Sequence, residues 1–222
     1  MKLVKAYLFL YNAAAAIGWC FVLGNLVWGV YANDPWSAVE WSLKISQTAA
    51  ILEVLHALLG VVRTNVFSTL LQVLSRIYIL WVVTNPFQDV VGQFLAFKTM
   101  VLAWCLTEIP RYAYFAVGQV QKPPKWMTWL RYSSFMPLYP VGAASEAACL
   151  YTVLPLIKEA RPYSIYMPNT LNFALDSYFT SICSLLIYIP GLPFMYSHMI
   201  AQRAKYVNPA DVPSMSATKK VD

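Results

Sequence analysis

Six times along this chain, apolar residues run on for long enough to cross a lipid bilayer. Each run approaches the roughly 20 residues that a helix needs to traverse the hydrocarbon core. They fall at about 8–30, 44–62, 68–84, 93–117, 133–157 and 171–195. The second and third are the least clean, since they carry Glu53, His56, Gln72 and Arg76. A soluble fold of 222 residues has too little interior for this much apolar surface: 59% of the residues are hydrophobic and only 12% charged. Soluble domains average about 25% charged residues. Mean hydropathy is +0.52. The 14 prolines outnumber the 8 glycines, and several sit inside apolar runs. Transmembrane helices tolerate that, because neighbouring helices satisfy the freed backbone groups. The expectation is an all-α polytopic membrane protein, a six-helix transmembrane bundle.

Charge placement orients it. Lys2 and Lys5 followed by Ala13 to Ala16 look like a signal peptide, but the apolar run continues through Trp19, Leu26 and Trp28 to Tyr31. That is too long for a signal-peptide core and suits a first span. Turn-forming clusters separate the runs at Asn33-Asp34-Pro35, Arg63-Thr64-Asn65, Asn85-Pro86, Lys122-Pro123-Pro124-Lys125 and Arg161-Pro162. A cytosolic N-terminus puts Lys2, Lys5, Arg63, Arg111, Lys122, Lys125, Arg131, Arg203, Lys205, Lys219 and Lys220 on one side, and only Lys158 and Arg161 on the other. The positive-inside rule then makes both termini cytosolic. Residues 1–206 form the six-span domain and 207–222 a polar, disordered tail. Lys219 and Lys220, fourth and third from the end, resemble a dilysine retrieval signal and point to the endoplasmic reticulum membrane. The net charge of +6 is spread over short loops, not over one soluble face, which argues against nucleic acid. Cys20, Cys105, Cys149 and Cys183 are far apart and form no CxxC or Cys/His cluster. Buried packing thiols are expected, with no metal and no disulfide framework. The absence of an internal repeat weakens a transporter reading.

Ionisable groups inside spans are costly and are functional candidates by default. Glu53 and His56 are three apart, Gln72 and Arg76 four apart, and Glu108 and Arg111 three apart beside Tyr112, so each pair shares a helix face. Asp176 is expected in the middle of the last span. The plainest account of Glu53, Arg76, Glu108 and Arg111 is a mutually neutralised network that fixes the bundle. The fifth run differs. Tyr139 and Glu146 are seven apart, about 20° apart in direction and about 10.5 Å apart along a regular helix. Pro140 and Gly142 lie between them and can bend the helix. Glu146 has no basic residue within two turns, so any partner comes from another span. Spacing alone leaves two readings open, an acid–base pair or a buried, hydrogen-bonded Tyr and Glu.

The stretch Arg131-Tyr132-Ser133-Ser134-Phe135 through Leu138-Tyr139-Pro140, Gly142 and Ser145-Glu146 resembles the signature of the very-long-chain (3R)-3-hydroxyacyl-CoA dehydratases. These are also called protein-tyrosine-phosphatase-like proteins and include plant members. Further blocks agree from about Tyr7 to Arg203: Leu52-Glu53 with His56 and Gly60, Gln72 with Ser75-Arg76, Thr107-Glu108-Ile109 with Arg111-Tyr112, Met167-Pro168-Asn169 with Asn172 and Asp176, and Tyr188-Ile189-Pro190-Gly191 with Met195-Tyr196. The resemblance implies a lyase of the endoplasmic reticulum fatty acid elongation cycle. In the third step of that cycle it would dehydrate a 3-hydroxyacyl-CoA to the trans-2-enoyl-CoA. It implies Tyr139 and Glu146 as the catalytic pair, with their acid and base roles open. Glu53, Gln72, Arg76, Glu108, Arg111 and Arg131 would support them, and no cofactor is needed. Implied partners are the long-chain substrate, membrane lipid and the cycle's ketoacyl-CoA synthase, ketoacyl reductase and enoyl reductase. Charge placement makes Lys122, Lys125 and Arg131 candidates for the CoA phosphates. Pro110 departs from the pattern between Glu108 and Arg111. Position 57, where a phosphatase would need its thiolate, is Ala57, so phosphatase chemistry lacks a nucleophile. A polar-pathway transporter and a catalytically weak scaffold of the elongase complex are the alternatives.

Overall fold

An apolar run with no proline between its lysine-bearing start and the Asn33-Asp34-Pro35 turn has nothing to stop a helix, and α1 is unbroken over Lys2–Tyr31. The computed structural model describes residues 2–207 apart from 63 and 171. Arg63 and the dilysine tail lie outside the described residues. Asn33, with φ +58°, reverses the chain, and the Asp34 side chain accepts from the Ser37 amide at 3.3 Å to cap α2, Pro35–Ala49. A cap followed by Pro at the first helical position is a strong start signal, so this helix begins well before the apolar run at 44. A short break at Ala50 separates it from α3, Ile51–Leu58. Asn65 caps α4, Val66–Tyr78, which widens into a π-helical turn over Ile79–Thr84, where the Thr84 hydroxyl donates to the Ile79 carbonyl. Then come α5 (Gln88–Val91), α6 (Leu95–Val120), α7 (Lys125–Ser133), α8 (Phe135–Ala160) and α9 (Ser177–Val207). No strand forms among the described residues, only an isolated antiparallel bridge between Ile165 and Leu175.

Four helical stretches are long and apolar enough to cross a membrane: Lys2–Tyr31, Val66–Thr84, Lys125–Ala160 and Ser177–Val207. The more polar helices lie between them. α6, with Lys98, Glu108 and Arg111, packs against α1 on one side and α8 on the other. Its Phe97, Met100, Val101, Trp104 and Cys105 join Trp19, Val22, Trp36, Val39, Leu43, Leu80, Cys149, Leu150 and Val153 in one core. α9 lies against α8 and α7, and only Ser177 and Ser181 of it are buried. Leu186, Ile187, Ile189 and Phe194 on α9 are 59–73% exposed. Such a surface is stable in lipid and not in water.

Two expectations need correction. Asp176 is not within the last span but precedes it, accepting from the Phe179 amide at 2.9 Å and pairing with Arg161. The Phe179 amide, then Arg161, holds its carboxyl below the usual range. The described residues between α8 and α9 are not helical, and Arg161, Tyr163 and Asn172 among them have positive φ, which an α-helix does not accommodate. The cysteines are not uniformly buried either: Cys105 and Cys149 are, whereas Cys20 is exposed on α1.

The first turn of the bundle depends on a close approach. A Cβ on Gly29 would lie 2.7 Å from the Ala38 Cβ, 2.8 Å from the Pro35 Cα and 2.9 Å from the Asp34 carbonyl. Two of those atoms are backbone and cannot step aside. Gly29→Ala should lower Tm in detergent by roughly 2–12 °C, the equivalent of about 1–3 kcal/mol of overpacking. An unchanged Tm would show that the α1–α2 turn relaxes freely.

Candidate active site

Close approach of α6 and α8 builds the site. Small residues let two membrane helices come together, and Ala103 on α6 faces Gly142 on α8, where an added Cβ would sit 3.4 Å away. Next to it the Thr99 and Ser145 hydroxyls are hydrogen-bonded at 2.7 Å. Pro140 has no amide to offer the Met136 carbonyl, yet α8 continues through it. The Tyr196 hydroxyl of α9 reaches that freed carbonyl at 3.5 Å. Pro110 likewise leaves α6 continuous.

On this frame Glu146 projects between α6 and α9. The Trp104 indole Nε1 donates to its Oε1 at 2.7 Å, and the Tyr188 hydroxyl donates to its Oε2 at 2.6 Å. Tyr139, two turns earlier on α8, is half-buried, with its ring nearly parallel to that of Tyr196 at a centroid distance of 6.4 Å. It interacts electrostatically with Glu146, with no hydrogen bond between the two. A phenol and a carboxylate thus lie two turns apart on α8, each against a tyrosine of α9.

Behind Trp104 lies a chain of alternating charges. Arg111 donates to Glu53 through Nη1 and Nη2 at 2.8 and 2.7 Å, and through Nε to Glu108 at 2.6 Å. Glu108, 3% exposed, also pairs with Arg76. Tyr112 donates to Glu53. The Arg76 guanidinium carbon lies 5.9 Å from the centre of the Trp104 ring, and Arg76 also interacts electrostatically with Glu146. Glu53, Arg111, Glu108 and Arg76, from three helices, therefore neutralise one another. Gln72 does not join them; its side chain is exposed on α4, although Arg76 lies one turn away. His56 turns from Glu53 to the Tyr7 hydroxyl, at 2.8 Å. The neighbouring Ala57 is buried in α3.

At the α6–α7 end the cations gather. Lys122 and Lys125 are exposed. Arg131 lies over Phe115 and Tyr132, and its Nε is buried with no hydrogen-bond partner among the described residues. Arg203 of α9 donates to the Ser133 hydroxyl at 3.0 Å, and Tyr132 stacks on Tyr206 with centroids 4.4 Å apart. No group of three or more metal-ligating side chains occurs among the described residues. Two concavities lie away from Tyr139 and Glu146. One, of about 270 Å³, is lined by residues including Asp34, Trp36 and Asp89; the other, of about 250 Å³, follows Ile17 to Asn25 on α1.

Nothing in the sequence marks Trp104 for a role, and Tyr188 stands out there only within a block of the resemblance. Trp104 does share a face with Glu108 and Arg111, four and seven positions on. That signal is readable, yet an apolar indole in an apolar run reads first as packing.

The chain matches the family described as protein tyrosine phosphatase-like protein, PTPLA, over residues 47–209. It is 42% identical to the very-long-chain (3R)-3-hydroxyacyl-CoA dehydratase PASTICCINO 2 of Arabidopsis thaliana, covering 90% of this chain and 92% of that one. Identity is 36% to the human very-long-chain (3R)-3-hydroxyacyl-CoA dehydratase 2, over 93% and 82% of the two chains. It is also 36% to the Caenorhabditis elegans dehydratase hpo-8, over 91% and 94%. No solved structure matches.

Proposed function

Since the chain belongs to the protein tyrosine phosphatase-like PTPLA family, we propose that it is a very-long-chain (3R)-3-hydroxyacyl-CoA dehydratase, with Tyr139 and Glu146 as its catalytic residues. The observation that carries this reading is likeness over nine-tenths of the chain to proteins named for that reaction. Phosphatase chemistry is set aside, because Ala57 supplies no nucleophile.

Dehydration takes a proton from C2 and oxygen from C3. Glu146 accepts the C2 proton, and the C–H electron pair becomes an enolate on the thioester. The enolate collapses to the C2=C3 double bond as the C3–O bond breaks. Tyr139 gives its phenolic proton to the departing hydroxyl, which leaves as water. A proton passing from Glu146 to the Tyr139 phenolate restores both groups. Arg76 and the indole dipole of Trp104 bear on the same carboxylate, where oriented charge is most effective in the absence of water.

Six crossings make the arrangement consistent: α1, α2 with α3, α4 with its π turn, α6, α8 and α9. The bond from Gln93 to the Asn33 carbonyl brings one set of loops to a common end, and the Arg203–Ser133 bond brings another to the opposite end. The second end collects Lys122, Lys125, Arg131, Arg203 and Lys205, which the positive-inside rule makes cytosolic together with both termini. CoA phosphates cannot enter hydrocarbon and belong there, while the acyl chain lies along the lipid-facing side of α8 and α9. An endoplasmic reticulum membrane and contact with the other enzymes of the elongation cycle complete the reading. A transporter pathway fits less well, because the intramembrane carboxylates and arginines are paired with one another.

The direct test is conversion of a long-chain (3R)-3-hydroxyacyl-CoA to the trans-2-enoyl-CoA by the purified protein in detergent. No product under any acyl length would sink the assignment. In the same assay Lys122→Glu with Lys125→Glu should raise KM on the order of tenfold at low salt, and less at high salt. Equal KM values would remove those lysines from the CoA site.

A further inference from the structure

Glu146 accepts hydrogen bonds at both oxygens, from side chains of two different helices that the reaction itself does not require. Indole Nε1 is a donor only, so Oε1 must present it a lone pair, and the Tyr188 hydroxyl donates to Oε2. This is the bonding pattern of a carboxylate with its rotation fixed from both sides. A carboxylate offers about four acceptor sites. Two are taken here, and each oxygen keeps one for a substrate proton. Trp104 is 2% exposed and is held by the core from below and by the Arg76 guanidinium over its ring. It cannot swing away. Tyr188 is half-buried on the helix that borders lipid.

We propose that Trp104 and Tyr188 are positioning residues that clamp Glu146 as the oriented base, with Trp104 linking it to the Glu53–Arg111–Glu108–Arg76 ion chain. The inference rests on the reading of Glu146 as catalytic. It assigns the acid role to Tyr139 by elimination, because among the described residues the other phenol that meets the carboxylate, Tyr188, is occupied in holding it. The clamp also gives the ion chain a reason to end at Arg76: the cation sits where it polarises the indole and draws its N–H toward Glu146.

The test compares Tyr188→Phe, Trp104→Phe and Glu146→Gln as purified proteins. Each phenylalanine variant removes one charge-assisted donor, which corresponds to a fall in kcat of roughly 10- to 100-fold. KM should stay within about twofold and Tm within a few degrees, on the ordinary partition of a loss felt only in the transition state. A substrate deuterated at C2 should show a larger isotope effect in both variants than in the wild type, because a loosened base makes proton removal slower. A structural role alone would lower folded yield and leave turnover per folded molecule and the isotope effect unchanged. If Glu146→Gln is inactive while both phenylalanine variants turn over normally, the clamp is wrong and the catalytic assignment stands. If Glu146→Gln itself turns over normally, the catalytic assignment falls and the clamp with it. Should one phenylalanine variant fail to fold, the isotope effect in the other decides.

Discussion

Glu146→Gln should abolish most dehydration, lowering kcat by roughly 10² to 10⁴-fold, the usual worth of a positioned general base. The variant should nonetheless fold. A glutamine oxygen can still accept from Trp104, and the glutamine amide can donate to the Tyr188 hydroxyl, so the buried donor–acceptor pairing survives. Tyr139→Phe should lose as much activity by a different route. Its ring keeps its place beside Tyr196, and only the hydroxyl that protonates the leaving group is gone. The two losses can be told apart. A 3-halo acyl-CoA expels a leaving group that needs no proton, so the deficit of Tyr139→Phe should shrink on that substrate, while that of Glu146→Gln should not. Near wild-type turnover of the hydroxy substrate by each variant would remove the pair from the active site. Equal deficits on both substrates would take the acid role from Tyr139.

How far the sequence carries depends on whether a feature is local. The Tyr139–Glu146 relation is local: once the fifth run is a helix, spacing alone puts both side chains on nearly one face. The four network charges are legible as a set, because isolated charges in apolar runs must neutralise one another, but not as an order. That order needs contacts such as Arg76 to Glu108, 32 positions apart, and Arg111 to Glu53, 58 apart. Gln72 shows the limit of face-sharing: it lies one turn before Arg76 and still points outward, because helix rotation is set by neighbours. Asp176 reads as part of the last span because Leu171, Phe173 and Leu175 extend the apolar run backwards, while the left-handed residues before it, Arg161, Tyr163 and Asn172, are not glycines. Helix 2 shows the opposite case. Its true start is written in Asp34-Pro35, but hydropathy hides it behind Glu40 and Lys44, which satisfy each other at 2.6 Å. Lys44 also lies within 6 Å of the Trp36, Trp41 and Trp81 rings.

Arg111→Met should be the most destabilising single change in the bundle. Arg111 pairs with Glu53 and Glu108 at once, and Glu108 keeps Arg76 when Arg111 is lost. Among the described residues, Glu53 then keeps only the Tyr112 hydroxyl. Breaking a buried pair from one side costs about 3–5 kcal/mol because it strands a charge, which for a chain of this size is a Tm loss of roughly 6–20 °C. The companion Glu53→Gln/Arg111→Met removes both charges and leaves Tyr112 an amide oxygen to bond. It should recover at least half of the loss, since replacing a whole buried pair is often nearly neutral. The comparison separates charge balance from packing. If the double variant melts as low as Arg111→Met alone, the guanidinium stabilises the bundle through its contact with the Tyr112 ring, 4.1 Å from its carbon, and not by neutralising Glu53. Recovered stability without recovered turnover would show, in addition, that the ion chain acts on the reaction as well as on the fold. That is the outcome expected if the order of charges from Glu53 to Arg76 helps orient Trp104 on Glu146.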